Sequence, residues 1–263
     1  MGLKPRLIAI DLDGTLLDSQ GRVSDRTAAA LKRAHDAGIV LAPATARWYQ
    51  AAIRPFEAIG LGVAAIASAG ADVRAADGTV VQQSCLDGDF ALFLAGLCDR
   101  AGWTATLSTP ERAYRRANEL PPWAANAPEW LKPVTTFAGE HLQNALSVLA
   151  EAAPGDHHMP ELEAWVGRVS LYPAVAFNGD ALITITAPGV DKGSALRALC
   201  AHLGIDPAEA AAIGDSEVDI PMFEAAGLAV AMADAPPEAK AAATRHTLSA
   251  DEDGVAAFIE SIL

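Results

Sequence analysis

The sequence predicts an α/β protein built on a doubly wound parallel sheet, with a second, α+β domain inserted into it. Two short apolar runs have the pattern of buried strands and end in acid: 7–10 before Asp11, and 210–214 before Asp215. Strand and helix patterns alternate around both runs, at a spacing typical of parallel βαβ units. Ligands bind at the carboxyl ends of the strands in such sheets, so we expect both acidic residues in one site.

The elements before the insertion follow from hydrophobic periodicity and from start and stop signals. Ser24 is a good N-cap for a helix that ends near Ala37, before Gly38. The chain then predicts a strand over 39–42, a helix over 48–59, a strand over 63–67 and a hairpin turn at Asp77-Gly78.

The amino-acid composition and the pattern of apolar residues change between about residues 84 and 188. This segment holds four of the five tryptophans, strand-like runs at 103–107, 169–177 and 181–186, and helical patterns over 90–99 and 142–152. Asn178-Gly179 indicates a hairpin turn. Such a block forms an α+β domain of its own. We therefore expect a core of residues 1–83 and 189–263 and an inserted domain of residues 84–188.

The chain returns to the core through Asp191, an N-cap for a helix that runs from Lys192 to about 203 and ends at Gly204. The helix dipole disfavours a cation in the first turn, so Lys192 is either solvated or paired with an anion. The run at 228–232 predicts a further strand, Pro236-Pro237 opens another helix, and a last helix ends the chain near 263.

Composition narrows the class of protein. A chain of 263 residues, 51% hydrophobic, can bury a sizeable core, and a net charge of −14 argues against nucleic acid or anionic membranes as partners. Cys85, Cys98 and Cys200 are widely spaced, which indicates neither a disulfide framework nor a zinc site. The pattern of a signal peptide is absent, and no apolar run approaches the roughly 20 residues of a membrane span. We expect a cytoplasmic protein of undefined oligomeric state.

Asp11 and Asp13 close the first strand, and Gly14 permits a sharp turn after them. Residues i and i+2 of a strand share a face, so the two carboxylates are expected to point together. Carboxylates held that close need a cation or a retained proton. With Mg2+, one can act as a nucleophile and the other as general acid and then base; the alternative is an acidic turn that caps a helix.

Two further strand ends carry polar groups. The hydroxyl of Thr45 and the backbone N–H groups after it can bind a phosphoryl oxygen, although such a threonine is equally often a plain helix cap. Asp215 and Asp219 add carboxylates at the same sheet edge, an oxygen-only set that suits Mg2+ better than zinc. A solvated helix N-terminus is the alternative interpretation of these acids.

Four motifs in order resemble those of the haloacid dehalogenase superfamily of phosphatases, in the Cof-like group with a large C2-type cap. They are Asp11-Leu12-Asp13-Gly14-Thr15-Leu16-Leu17, Thr45-Ala46-Arg47, Lys192-Gly193-Ser194-Ala195-Leu196 and Gly214-Asp215-Ser216-Glu217-Val218-Asp219. The resemblance covers nearly the whole chain. It implies a Mg2+-dependent hydrolase of small phosphate monoesters, working through an aspartyl phosphate, with residues 84–188 as the cap that selects the substrate.

The same resemblance implies a role for each matching residue. Asp11 is the nucleophile, Asp13 protonates the leaving alcohol and later activates water, and Lys192 neutralises the nucleophile and the phosphoryl group. The implied phosphate-binding residues are Thr45, Ala46 and Lys192. The implied metal ligands are Asp11, the backbone carbonyl of Asp13, and Asp215. The residues implied to support the site without binding the metal are Arg47, Ser216 and Asp219. Asp219 could instead be a metal ligand.

The chain departs from the family pattern at four positions, which are Ala46, Ala69, Val218 and Asp234. Relatives carry glycine at the first and asparagine at the others. None of these changes touches the nucleophile, the acid, the lysine or the main metal ligand, so the sequence predicts an active enzyme with altered specificity or rate. The alternatives are a binding or regulatory protein without turnover, and a mutase.

The substrate is expected to be a small phosphorylated metabolite. Sugar phosphates come first by resemblance alone, and flavin mononucleotide or pyridoxal phosphate remain open. A basic cluster in the inserted segment could recognise an acidic leaving group or be a solvated face; it comprises Arg112, Arg115 and Arg116.

Overall fold

The computed structural model describes residues 4–151, 158–175 and 181–263. Its strands are β1 (Leu7–Ile10), β2 (Val40–Pro43), β3 (Ala65–Ala67), β4 (Asp72–Arg74), β5 (Val80–Gln83), β6 (Thr104–Ser108), β7 (Ala113–Arg116), β8 (Leu131–Val134), β9 (Ser147–Glu151), β10 (Ser170–Val175), β11 (Ala181–Thr186), β12 (Ala210–Gly214), β13 (Leu228–Ala231) and β14 (Arg245–His246). Its α-helices are α1 (Asp25–Asp36), α2 (Tyr49–Glu57), α3 (Gly88–Ala101), α4 (Met159–Glu163), α5 (Lys192–Leu203), α6 (Ile220–Ala225), α7 (Pro237–Ala242) and α8 (Gly254–Ile262).

The chain divides into two compact units. The first, here called the core unit, comprises Met1–Gln82 and Asp191–Leu263, and the second, the inserted unit, comprises Gln83–Val190. Each unit has its own sheet and its own cluster of buried apolar side chains.

A five-stranded sheet in the order β14-β13-β12-β1-β2 forms the centre of the core unit, and its paired strands are parallel. Alternate side chains of β1 enter two different apolar clusters. Ile8 and Ile10 pack with residues of α1 and α8, whereas Leu7 and Ala9 pack with residues of α5 and α6. Helices therefore cover both faces of the sheet, which confirms the doubly wound α/β fold.

The helix limits of the core unit lie close to those expected from sequence. Ser24 caps α1, its side chain accepting a hydrogen bond from the N–H of Thr27. Asp191 caps α5, and the helix ends at Gly204 with a left-handed φ of 63°. In both caps the side chain accepts a hydrogen bond from a backbone N–H group that has no partner within the helix.

The inserted unit contains a six-stranded sheet in the order β10-β11-β9-β6-β7-β8. Its paired strands are antiparallel except for β7 and β8, which run parallel. Helix α3 buries Phe90, Leu94 and Leu97 in the same cluster as Leu107 of β6 and Ile185 of β11. This arrangement of helix on mixed sheet confirms the expected α+β character.

The helix expected over 142–152 is wrong. A short 3-10 helix ends at Leu142, and residues Ser147–Glu151 form strand β9, which pairs with both β6 and β11. The apolar residues of this stretch are spaced as in an amphipathic helix. In the folded protein, however, the stretch lies between two other strands, and its backbone N–H and C=O groups find hydrogen-bond partners in both of them. Tertiary pairing therefore overrides the local pattern.

Two of the three arginines in the basic cluster of the inserted unit, Arg115 and Arg116, form ion pairs with acidic residues. Arg116 is buried, and its guanidinium donates hydrogen bonds to a carboxylate oxygen of Asp99 (3.2 Å) and to the carbonyl of Trp103 (2.7 Å). Arg115 forms an ion pair with Glu151 on a nearby strand. These contacts favour a structural role for both arginines over a solvated face. The turn expected at Asn178-Gly179 lies outside the described residues, although the flanking strands β10 and β11 pair antiparallel.

Among the described residues, no helix is both long enough and apolar enough to cross a bilayer.

Candidate active site

Three carboxylates of the core unit gather at the carboxyl edge of its sheet. Asp11 directly follows β1, Asp215 directly follows β12, and Asp219 lies one short 3-10 turn further on. One carboxylate oxygen from each lies within 4.8 Å of the others. We call this group the carboxylate cluster. Pairing of β1 with β12 brings the first two together, as the parallel sheet led us to expect.

Lys192 joins two members of the cluster. Its Nζ donates a 2.6 Å hydrogen bond to Oδ1 of Asp11 and another of 2.6 Å to Oδ1 of Asp219. Burial alone would lower the pKa of this lysine, but the two carboxylates raise it above its usual value. Lys192 is therefore held as a buried cation at the start of α5, and the anion partners expected for a first-turn lysine are two aspartates.

The cluster carries more negative charge than Lys192 can offset. Burial, opposed by Lys192, raises the pKa of Asp11 well above its usual value, and Asp219 and Asp215 add to the shift. Burial and then Asp219 raise the pKa of Asp215 to about 6. Three carboxylates and one ammonium group leave two negative charges uncompensated when all are ionised. An all-oxygen set with this surplus fits a hard divalent cation.

Asp219 differs from the other two carboxylates because its oxygens already have several donors. Its Oδ2 accepts hydrogen bonds of 3.0 Å from the backbone N–H of Asp215, from the N–H of Ser216 and from the hydroxyl of Ser216. Its Oδ1 accepts from Lys192. Asp219 thus fixes the turn that carries Asp215.

Thr15 is a site residue that the sequence analysis passed over. It is buried, and its hydroxyl donates a 2.8 Å hydrogen bond to Oδ1 of Asp215. The only indication of such a role in the sequence is the place of Thr15 in the first motif, two residues after Asp13. A threonine there could equally be an ordinary turn residue. Its hydrogen bond orients a carboxylate that comes from the other end of the sequence.

Gly14 approaches Asp215 more closely than any side chain would allow. It has a φ of +82°, and a Cβ added to it would lie 2.5 Å from Oδ2 of Asp215. Glycine is required here both for the left-handed backbone and for the space that the carboxylate fills.

Gly14→Ala is expected to lower the free energy of unfolding by about 1–3 kcal/mol more than Gly21→Ala. Gly21 has a similar φ of +73° but nothing within 4 Å of an added Cβ, so it matches the backbone cost without the collision. Urea unfolding of both variants measures the difference. Equal losses would show that Asp215 moves aside at no cost.

Asp13 does not share the surroundings of Asp11, contrary to the shared face expected from strand spacing. Strand β1 ends at Ile10, so the alternation of a strand no longer applies to Asp11 and Asp13, one and three residues later. The Asp13 side chain is 62% exposed and pairs with Arg47. Nε of Arg47 donates to Oδ2 of Asp13 at 2.9 Å, and Nη2 of Arg47 donates to Oδ1. Arg47 is therefore a partner of Asp13 in this structure.

Thr45 lies buried between β2 and helix α2, with Ala46 and Arg47 after it. Its hydroxyl accepts a 3.2 Å hydrogen bond from the N–H of Arg47, and its backbone carbonyl accepts one of 2.9 Å from the N–H of Ala69. The helix begins only at Tyr49, so Thr45 is not its N-cap. The segment 45–47 is thereby tied to the segment that contains Ala69.

The remaining departures from the family pattern lie at turns after strands. Val218 is part of the 3-10 turn between Asp215 and Asp219, and Asp234 is exposed after β13. Ala69 has a φ of 57° and a ψ of 30°, the left-handed region that an alanine seldom adopts.

Ala69→Gly is expected to raise the free energy of unfolding by about 0.5–1 kcal/mol, because glycine adopts this conformation without steric cost. The matched control is Ala29→Gly at an exposed position within α1, which should lower the same quantity by about 1 kcal/mol. Urea unfolding measures both. A loss of stability in Ala69→Gly would show that this backbone carries no strain.

The family model for haloacid dehalogenase-like hydrolases matches residues 8–259. A 5-amino-6-(5-phospho-D-ribitylamino)uracil phosphatase of Bacillus subtilis is 29% identical to this chain over 254 residues, which span 97% of this chain and 94% of that protein.

Solved structures agree with this assignment. A haloacid dehalogenase-like hydrolase from B. subtilis superimposes with a TM-score of 0.85 at 25% identity, covering 98% of this chain and 100% of the other. A sugar phosphatase of subclass IIB of the superfamily shares the fold, with a TM-score of 0.81 at 21% identity over 98% of this chain and 100% of the other. The chain therefore belongs to the haloacid dehalogenase-like hydrolases, and it is a phosphatase of that superfamily.

Proposed function

We propose that this protein hydrolyses small phosphate monoesters in a Mg2+-dependent reaction, with Asp11 as the nucleophile. The observation that carries the proposal is the buried carboxylate of Asp11 at the end of β1, bound by Lys192 at 2.6 Å and grouped with Asp215. A carboxylate can attack phosphorus only if its charge and that of the phosphoryl group are both offset, and this site concentrates the groups that would do so.

Asp11, Asp215 and the backbone carbonyl of Asp13 would hold the metal ion. The carboxylates supply hard oxygen ligands, and their surplus of negative charge supports a divalent cation such as Mg2+ over zinc, which favours nitrogen and sulfur. When bound, the ion neutralises charge on the phosphoryl oxygens. Asp219, already bound by four donors, would orient Asp215 and Lys192 rather than bind the metal.

The reaction proceeds in two transfers. Asp11 attacks phosphorus, so that a bond forms between its carboxylate oxygen and phosphorus while the ester P–O bond breaks. Asp13 gives a proton to the departing alkoxide. Asp13 then takes a proton from water, whose oxygen attacks phosphorus; the aspartyl P–O bond breaks, and inorganic phosphate and the free Asp11 carboxylate are released. Lys192 neutralises the charge that the phosphoryl group brings to Asp11.

The ion pair between Asp13 and Arg47 bears on the proton transfers. Asp13 can deliver a proton only after its carboxylate has been released from the two donors of Arg47. Arg47 is itself 38% exposed, so rotation of its side chain costs little, and an arriving phosphate offers it another anion. Thr45 and the backbone of Ala46 are proposed to bind the phosphoryl oxygens beside it.

Sugar phosphates or phosphorylated sugar alcohols are the substrates that we propose first. The support is indirect: the B. subtilis relative is named for a phosphoribityl substrate, and a structure of the same fold is a sugar phosphatase. The inserted unit, as the proposed cap, would select among them. The alternative, a protein that keeps the fold and binds phosphate without turnover, is supported by the departures at Ala46, Ala69, Val218 and Asp234.

The test is phosphate release from a panel of phosphate monoesters, measured with Mg2+ and with a chelator. We expect turnover of at least one sugar phosphate that the chelator abolishes and Mg2+ restores. Binding of Mg2+ and inorganic phosphate without release from any ester would support the alternative. Isomerised sugar phosphate without free phosphate would instead indicate a mutase.

Asp215→Asn is expected to raise the Mg2+ concentration for half-maximal activity by about 10-fold or more, because it replaces a charged ligand by a neutral one. Asp36→Asn, at an exposed position near the end of α1, is the control and should leave the Mg2+ dependence unchanged. Titration of activity with Mg2+ measures both. The same half-maximal concentration in Asp215→Asn and wild type would remove Asp215 from the set of ligands.

A further inference from the structure

Ser68 carries a buried hydroxyl group. Its side chain has no exposed surface, and its Oγ has no hydrogen-bond partner in the described parts of the chain. Leaving a buried hydroxyl unpaired destabilises the folded state, and the large majority of buried polar side chains in proteins have a hydrogen-bond partner.

The backbone around Ser68 is held in an unfavourable conformation. Ser68 has a φ of 51° and Ala69 a φ of 57°, two consecutive non-glycine residues in the left-handed region, followed by Gly70 at 99°. Each such residue destabilises the folded state, and conformations of this kind persist only where the surroundings enforce them. Ser68 therefore combines both features: it carries the unpaired hydroxyl and is the first of the two strained residues.

The enforcing contacts come from both sides of the proposed phosphate site. The N–H of Ser68 donates to the carbonyl of Arg47 at 2.8 Å, and the N–H of Ala69 donates to the carbonyl of Thr45 at 2.9 Å. On the other side, Gly70 packs so closely against the carbonyl of Asp191 that no Cβ could fit between them. Ser68 is thus fixed between the segment 45–47 and the start of the helix that carries Lys192.

We propose that the hydroxyl of Ser68 is a substrate-binding donor that hydrogen-bonds an oxygen of the phosphate group. The phosphate of a monoester would supply the acceptor that the described residues do not provide for this hydroxyl. The segment 45–47 and Lys192, on either side of Ser68, would bind the same phosphate. This inference rests on the proposed function and adds to it a binding residue that no motif of the sequence marks. The unfavourable backbone holds the donor in place before the ligand arrives.

The test compares Ser68→Ala with wild type and with Ser261→Ala. Ser261 is on α8, which carries no candidate site residue, and its hydroxyl donates to the carbonyl of Phe258 at 2.7 Å. Two sets of measurements are made on each protein. The first is the melting temperature without ligand and over a range of inorganic phosphate concentrations, which gives the dissociation constant. The second is kcat and KM for the best ester of the panel.

We expect Ser68→Ala to melt at or above the temperature of wild type without ligand, because it removes an unpaired hydroxyl. Its dissociation constant for inorganic phosphate and its KM should rise by about 10-fold, the effect of one hydrogen bond to a charged acceptor. Ser261→Ala should leave both binding quantities unchanged.

Two outcomes would overturn the inference while the proposed function stands. Wild-type phosphate affinity and KM in Ser68→Ala would show that the hydroxyl does not contact the substrate. A lower melting temperature with unchanged phosphate affinity would show that Ser68 has only a structural role. Failure of wild type itself to bind phosphate or hydrolyse any ester would overturn the proposed function and this inference together.

Discussion

Asp11→Asn is expected to lower phosphate release by about 10⁴-fold or more, because a carboxamide oxygen cannot serve as the nucleophile. The variant should fold as well as wild type. Its carboxamide oxygen can still accept from Lys192, and it removes a buried negative charge whose pKa is raised by burial and by Asp219 and Asp215. Phosphate release and urea unfolding are measured side by side, with Asp36→Asn as the control.

The stability of Asp11→Asn separates a lost nucleophile from a lost fold. A residue kept for chemistry at a cost in stability should give an inactive variant that is equally stable or more stable. Retained turnover at a tenth of the wild-type rate or above would remove Asp11 from the role of nucleophile. Inactivity with strongly reduced stability would indicate that the carboxylate is chiefly structural.

Lys192→Met is expected to lower the free energy of unfolding by about 3–5 kcal/mol at neutral pH and to abolish turnover. Lys192 is the buried cation between Asp11 and Asp219, and its loss leaves two buried carboxylates without their shared ammonium group. Lys32→Met, at an exposed position on α1, is the control and should change stability little.

The loss in Lys192→Met should depend on pH. Burial already raises the pKa of Asp11, and removal of Lys192 takes away the largest opposing effect. Near neutral pH the folded variant then retains a proton that the unfolded chain has already released, so its stability falls as pH rises. Urea unfolding should show a smaller deficit at about pH 5 than at about pH 8. A deficit independent of pH would show that lost packing, rather than unpaired charge, causes the destabilisation.

The sequence was sufficient to predict the centre of the site, because parallel strands bring their carboxyl ends to one edge. The aspartates after β1 and β12 meet for this reason, although about 200 residues separate them. Lys192 was predictable for a related reason: a cation in the first turn of a helix is unfavourable unless an anion is near. These inferences require only the positions at which strands end and helices begin, and the charges of the residues there.

What the sequence did not reveal depends on exact backbone conformation. Asp13 pairs with Arg47 because β1 ends before it, and strand limits are uncertain by a few residues from sequence alone. Thr15 and Ser68 owe their positions to turns whose dihedral angles no pattern encodes. Strand β9 was mistaken for a helix because its apolar residues fit both periods and only its two neighbours decide between them.

In the proposed reaction the phosphoryl group passes through a covalent bond to Asp11, and acid quenching during turnover would trap that bond. The enzyme is mixed with a ³²P-labelled ester and Mg2+, quenched within the first turnovers, digested and mapped. We expect label on the peptide that contains Asp11, released by hydroxylamine as befits an acyl phosphate. Steady turnover with no label on the protein, or with label on a different residue, would contradict the mechanism proposed here.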